Sequence, residues 1–207
     1  MDLIEQINNL KKSNVKNIVE QRLNEFSTFK NKPEEEWFSE LCFCILTANS
    51  RAKTAIRIQE TLKGLGFLNL DKEKIAFIIK KNHHRFHNHK AEYICEARKF
   101  KYIKNIINKM SEQDARKFIV ENVKGIGYKE ASHFLRNTGA KNLAILDRHI
   151  INLMIENKLL ERKPKNLNKK NYLEVEEKFN SLAERLKMSS AEIDLYMWYM
   201  KTGEILK

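Results

Sequence analysis

The pattern in this chain best suited to chemistry is a lysine at the start of a helix, followed at a fixed distance by an aspartate. The segment Asn122-Val123-Lys124-Gly125-Ile126-Gly127-Tyr128-Lys129-Glu130-Ala131 lies between two stretches of helical periodicity. Gly125 and Gly127 allow backbone conformations denied to other residues and let the chain approach a ligand closely. A turn of this kind opening into a helix leaves N–H groups beside the positive end of the helix dipole, which suits a phosphate. Lys129 stands just beyond it. A lysine attacks only as its neutral amine, which a helix N-terminus, burial or neighbouring cations favour. Lys129 has the helix start and, close in sequence, Lys124. Eighteen residues on, after the apolar Leu143-Ala144-Ile145-Leu146, comes Asp147, a carboxylate able to stabilise positive charge or to move protons. Each piece also has an ordinary reading: a glycine-capped turn, one solvated lysine among many, and an N-cap for the helix that begins at Arg148.

The elements that must position these residues are helices. Only six glycines and two prolines punctuate 207 residues, and apolar side chains recur at helical spacing almost throughout. Trp37, Leu41, Cys44, Ile45 and Ala48 share one stripe of a helix that Pro33 and the acidic Glu34-Glu35-Glu36 would start well. The spacing of Tyr93, Ile94, Ala97, Phe100, Ile103, Ile106 and Ile107 predicts one helix over residues 91–110. Further helices are expected over 15–29, 51–63, 72–81, 112–121, 128–138, 148–160, 170–187 and 190–202. Leu143 to Leu146 is compatible with a short strand, although no partner strand is visible. The stretch Glu161-Arg162-Lys163-Pro164-Lys165-Asn166 reads as a loop.

Composition narrows the partner. Lys and Arg number 39 against 27 Asp and Glu, a formal charge of +12, so a polyanion is the leading partner, with nucleic acid foremost. The cysteines Cys42, Cys44 and Cys95 have neither the number nor the spacing of a disulfide framework, a four-thiolate metal site or an iron–sulfur site, which fits a reducing cytoplasm. His83 and His87 have i,i+4 spacing but no accompanying carboxylate or cysteine set, so no metal site is expected there. Residues 1–6 are polar and acidic, unlike a signal peptide, and no apolar run reaches the ~18 residues of a membrane span.

The hairpin, the lysine and the aspartate together resemble the helix-hairpin-helix DNA glycosylase superfamily. Its hairpin carries Gly-hydrophobic-Gly with a catalytic lysine two residues on in its lyase members, and an aspartate follows about eighteen residues later; Gly125, Gly127, Lys129 and Asp147 match. The resemblance implies that Lys129 attacks C1′ of the sugar, expels a damaged base and forms a Schiff base, after which the strand breaks, with Asp147 assisting at the sugar as carboxylates do at oxocarbenium-like centres. Such chemistry requires the nucleotide to be flipped from the duplex. Leu46-Thr47-Ala48-Asn49-Ser50 resembles the segment that places an amide near the orphaned base, making Asn49 the candidate; its ordinary reading is a polar helix end. Arg85-Phe86-His87-Asn88-His89-Lys90 resembles the loop that supplies a wedge, making Phe86 the candidate intercalating side chain.

The absence of any cysteine after Cys95 departs from the endonuclease-three-type enzymes for oxidised pyrimidines, which usually carry a four-cysteine cluster near the C-terminus. The short chain and its ending, Met197-Trp198-Tyr199-Met200-Lys201-Thr202-Gly203-Glu204-Ile205-Leu206-Lys207, resemble the compact type-2 8-oxoguanine DNA glycosylases, chiefly archaeal. That resemblance places Lys207 and Trp198 at the base pocket, against ordinary readings of a frayed terminus and core packing. The expected fold is all-α: a six-helix lobe over 31–141 with the helix-hairpin-helix motif, and a second helical lobe combining 1–30 with 142–207, flanking a DNA-binding cleft. The expected activity is excision of 8-oxoguanine from double-stranded DNA and β-elimination by a cytoplasmic, nucleoid-associated monomer needing no metal, redox or organic cofactor. Excision of another lesion, an oxidised pyrimidine or alkylated purine, and a non-catalytic DNA-binding module are the alternatives.

Overall fold

The computed structural model describes residues 2–207, and those residues form helices and connecting turns with no strand. They fall into two compact units, one of Asn31–Phe134 and one of the chain up to Lys30 together with Leu135–Lys207.

In the Asn31–Phe134 unit, α3 (Glu34–Thr47) is the central element, packed against α4 (Ala52–Asn69), α6 (His87–Ala97) and α7 (Ile103–Ile107), while α5 (Lys72–Lys81) joins α4 to α6. The expected single stripe on α3 is an understatement. Every residue from Trp37 to Thr47 is buried, as befits a helix enclosed on all sides. Its polar members Ser39 and Glu40 are met by Gln59 of α4, whose Nε2 donates to Ser39 O at 3.1 Å and to Glu40 Oε2 at 3.2 Å. The helix α4 is broken at Lys63, which has φ +52° and ψ −178°.

The single helix expected over 91–110 is instead α6, a 3-10 turn at Arg98–Phe100 and α7. Two side-chain contacts account for the break. The Arg98 guanidinium turns away to donate to Phe67 O at 2.9 Å and to Leu70 O. The Glu34 carboxylate then accepts from Lys104 N and Asn105 N, both at 3.1 Å, capping the new helix α7 from a distant point in the chain. No local signal announces such a cap. Helix α8 (Glu112–Asn122) starts at an N-cap, Ser111, whose hydroxyl accepts from Asp114 N. It leads into the hairpin and α9 (Tyr128–Asn137), within which the boundary between the units falls.

In the other unit, α12 (Ser190–Thr202) is central and contacts α1 (Leu3–Leu10), α2 (Val15–Phe29), α10 (Arg148–Glu156) and α11 (Lys169–Leu186). The helix α1 went unread because it is barely two turns long and buries only Leu3 and Ile7. A buried ion pair, Arg136 Nη1 to Asp194 Oδ2 at 2.6 Å, ties α12 to the start of this unit's second segment, and Ala191 N donates to Lys141 O at 3.0 Å.

Residues 143–146 are buried and belong to neither a helix nor a strand. Helix α11 supplies side chains where a neighbouring strand would supply backbone: Glu176 Oε1 accepts from Ala144 N at 3.0 Å, and the Tyr172 hydroxyl donates to Ala144 O at 2.7 Å while accepting from Leu146 N at 3.3 Å. This backbone delivers Asp147 to the start of α10, which is shorter than expected and ends at Glu156.

Candidate active site

The hairpin reverses through Gly125, whose φ of +84° lies in the left-handed region. A Cβ there would stand 2.3 Å from the Tyr93 ring, so glycine is required twice over. Gly127 differs from the expectation: its φ is not positive, and a Cβ would meet only Glu130 Oε2 at 3.4 Å. Its role is the start of α9. Gly127 O accepts from Ala131 N at 2.9 Å, the first bond of the helix, and Gly127 N donates to Glu130 Oε2 at 3.3 Å, the returning half of a capping box.

Lys129 is therefore in the first turn of α9, where amides lack helical acceptors and the dipole is positive. Its Nζ lies 2.9 Å from Glu130 Oε1, with the Lys129 side chain 26% exposed. One carboxylate thus joins the turn to the lysine head. The expected cationic neighbour, Lys124, is not available for that purpose: its amine is 2.8 Å from Glu92 Oε1 and 2.9 Å from Glu96 Oε1, and those carboxylates raise its pKa above the usual lysine range.

A buried lysine that the sequence reading missed is Lys90, on α6. It is 5% exposed, its Nζ donates to Ile45 O at 2.6 Å, and burial lowers its pKa to about 8, with Glu130 opposing the shift and Lys129 adding to it. The signal was present, since Lys90 stands four residues before Ile94 and seven before Ala97, a charge on an apolar stripe. His84, 2% exposed, is the second missed residue, and nothing in its local sequence marks it. Glu130 is the third, legible as the N3 acid of a helix start.

Asn49 is exposed at the end of α3, in a turn closed by Ser50 N donating to Thr47 O at 3.0 Å. Ala48 has φ −60° and ψ +116°, and Asn49 has φ +59°; this is a type II turn with asparagine at the position that demands positive φ. Phe86 precedes α6 and is 37% exposed, with the Arg85 guanidinium 4.6 Å from its ring centre.

In the other unit, Asp147 is the N-cap of α10. Its Oδ1 accepts from His149 N at 2.8 Å and Ile150 N at 2.9 Å, so both cap bonds fall on one oxygen and Oδ2 is not engaged in the cap. Trp198 of α12 is half-buried and meets the His149 ring edge-on, 5.3 Å between centres, close in sequence to Asp147. Lys207 is half-buried at the end of the chain.

A family model described as 8-oxoguanine DNA glycosylase matches residues 19–188. The chain belongs to that family. An 8-oxoguanine DNA glycosylase/AP lyase of Methanocaldococcus jannaschii is 50% identical to it over the full length of both chains. The crystal structure of the glycosylase/lyase from that organism, in complex with a 15mer DNA containing 8-oxoguanine, superposes with a TM-score of 0.96 at 48% identity, covering 99% of each chain. The 8-oxoguanine DNA glycosylase of Thermotoga maritima superposes with a TM-score of 0.93 at 42% identity, over 99% of this chain and 98% of that one. Membership of this glycosylase family agrees with the fold and the hairpin, and no helix among the described residues is long and apolar enough to cross a membrane.

Proposed function

We propose that this chain removes 8-oxoguanine from double-stranded DNA and cleaves the strand at the resulting site. The observation that carries this reading is its full-length likeness to the M. jannaschii enzyme crystallised with DNA containing 8-oxoguanine. The Lys129 amine attacks C1′ of the flipped nucleotide; its electron pair forms the new C–N bond as the glycosidic bond breaks and the base leaves with its electrons and a proton. Ring opening yields a Schiff base, loss of a C2′ proton expels the 3′ phosphate, and water then releases the lysine. The Asp147 carboxylate acts at the same nucleotide, stabilising charge on the sugar or carrying protons. The first turn of a helix, where Lys129 stands, also suits a bound phosphate.

Asn49 faces the orphaned base and Phe86 fills the gap left in the stack, a reading supported by the exposure of both at turns. Trp198 stacks on the flipped purine and Lys207 contacts it, a reading supported by the half-burial of both side chains.

Borohydride trapping on a panel of duplexes tests the reading. An adduct with 8-oxoguanine opposite the usual partner bases is expected. An adduct only with an oxidised pyrimidine or an alkylated purine would transfer the activity to that lesion, and binding with neither adduct nor nicking would make the chain a DNA-binding module.

A further inference from the structure

A helix leaves its last four carbonyls without intrahelical partners. At the end of α3 these are Cys44, Ile45, Leu46 and Thr47, and each has found a donor. Thr47 Oγ1 donates to Cys44 O at 2.9 Å, and Ser50 N donates to Thr47 O at 3.0 Å. The middle two are met from far along the chain. Lys90 Nζ donates to Ile45 O at 2.6 Å, and His84 Nε2 lies 3.0 Å from Leu46 O, which requires the tautomer with its proton on Nε2. That tautomer leaves Nδ1 as an acceptor, and Phe86 N donates to it at 3.2 Å. A single buried imidazole therefore links the turn that presents Asn49 to the backbone of Phe86. Lys90, a cation at the negative end of the α3 dipole, completes the clamp.

We infer that His84 and Lys90 are positioning residues for lesion recognition, fixing the Asn49 turn and Phe86 in one register so that the two are presented to the duplex together. The inference rests on the proposed roles of Asn49 and Phe86. Neither His84 nor Lys90 touches DNA in this account. Their effect falls on duplex affinity and on discrimination of the base opposite the lesion, while the reaction at Lys129 proceeds once the substrate is bound. Simple structural support would lower stability and all activities alike.

The test uses the full chain and 8-oxoguanine duplexes carrying each of the four opposite bases, with affinity and single-turnover rate measured separately. His84→Leu removes both bonds at similar volume, and a lost net bond of ~1 kcal/mol corresponds to about a fivefold change in an equilibrium constant. Weaker duplex binding by about fivefold to tenfold, a narrower spread among opposite bases and a saturated rate within about twofold of wild type are expected. His84→Gln keeps a donor for Leu46 O and falls between the two; Lys90→Met reproduces the loss should His84→Leu not fold. Asn49→Ala separates the two levels. If it leaves the opposite-base spread unchanged, the reading of Asn49 fails and this inference with it; if it narrows the spread while folded His84 and Lys90 variants do not, the inference alone is overturned.

Discussion

Glu130 holds Lys129 by its head: one carboxylate oxygen is 2.9 Å from the lysine Nζ, and the other accepts the amide of Gly127 at 3.3 Å. The hairpin, the helix start and the candidate nucleophile are thereby one hydrogen-bonded unit. Substituting the lysine leaves the cap bond to Gly127 in place, and a partly exposed ion pair contributes no more than ~1 kcal/mol. Lys129→Gln is therefore expected to fold with a Tm within about 4 °C of wild type and to form no borohydride adduct. A trapped adduct in that variant would move the nucleophile elsewhere.

Capping and chemistry can be separated at Asp147. Both bonds of the α10 cap fall on Oδ1, an oxygen that asparagine also possesses. Asp147→Asn should keep the cap and its stability, retain binding to 8-oxoguanine DNA, and lose turnover, because an amide cannot carry the charge or the proton. Asp147→Ala should lose turnover and, in addition, about 1 kcal/mol of stability. Equal activity of the asparagine variant and wild type would reduce Asp147 to a cap.

The two glycines of the hairpin look alike in sequence and differ in the structure. Gly125 has positive φ and the Tyr93 ring where a Cβ would go, whereas Gly127 lacks a positive φ and a Cβ there would make only an ordinary contact with Glu130 Oε2 at 3.4 Å. Left-handed backbone costs a side chain about 1–2 kcal/mol, and overpacking against an aromatic ring adds about 1–3 kcal/mol. Gly125→Ala should lower stability by more than about 2 kcal/mol and Gly127→Ala by less than about 1 kcal/mol, as read by denaturant melts. Similar losses at both positions would contradict this distinction.

The same contrast explains what was legible beforehand. Periodicity and caps are local, so the long helices and the acidic start of α3 could be read directly. Lys129 and Asp147 stand out as candidates for the same reason, because a hairpin, a lysine and an aspartate at fixed separations form a pattern along the chain. The break of the 91–110 stretch could not, since it depends on Arg98 reaching Phe67 and on Glu34 capping α7 across some seventy residues. Residues 143–146 were ambiguous for a related reason. Their backbone partners are the Tyr172 and Glu176 side chains, and neither helix nor strand periodicity announces a segment satisfied in that way. Lys90 and His84 escaped because their targets are the carbonyls at the end of another helix.

Lys90 also sets a pH dependence whose sign follows from burial. Its folded pKa is about 8, below the ordinary 10.5, because removal from water disfavours the ammonium; Glu130 pulls the other way and Lys129 reinforces the shift. Between those values the unfolded chain binds more protons at this site than the folded one, so stability rises with pH through that window. Below about pH 8 both states are charged and the full cost of burying the ammonium is present. The gain across the window is at most about 3 kcal/mol, at ~1.4 kcal/mol per pKa unit. His84 acts in the same sense at lower pH: burial, the leading cause, lowers its pKa, so its contribution is lost as pH falls below the ordinary 6.5, where a second ring proton would also remove the acceptor for Phe86 N. Denaturant melts between pH 7 and 10 should show wild type gaining stability relative to Lys90→Met. Parallel curves would mean that Lys90 keeps an ordinary affinity for its proton and that the α3 dipole and Glu130 compensate its burial.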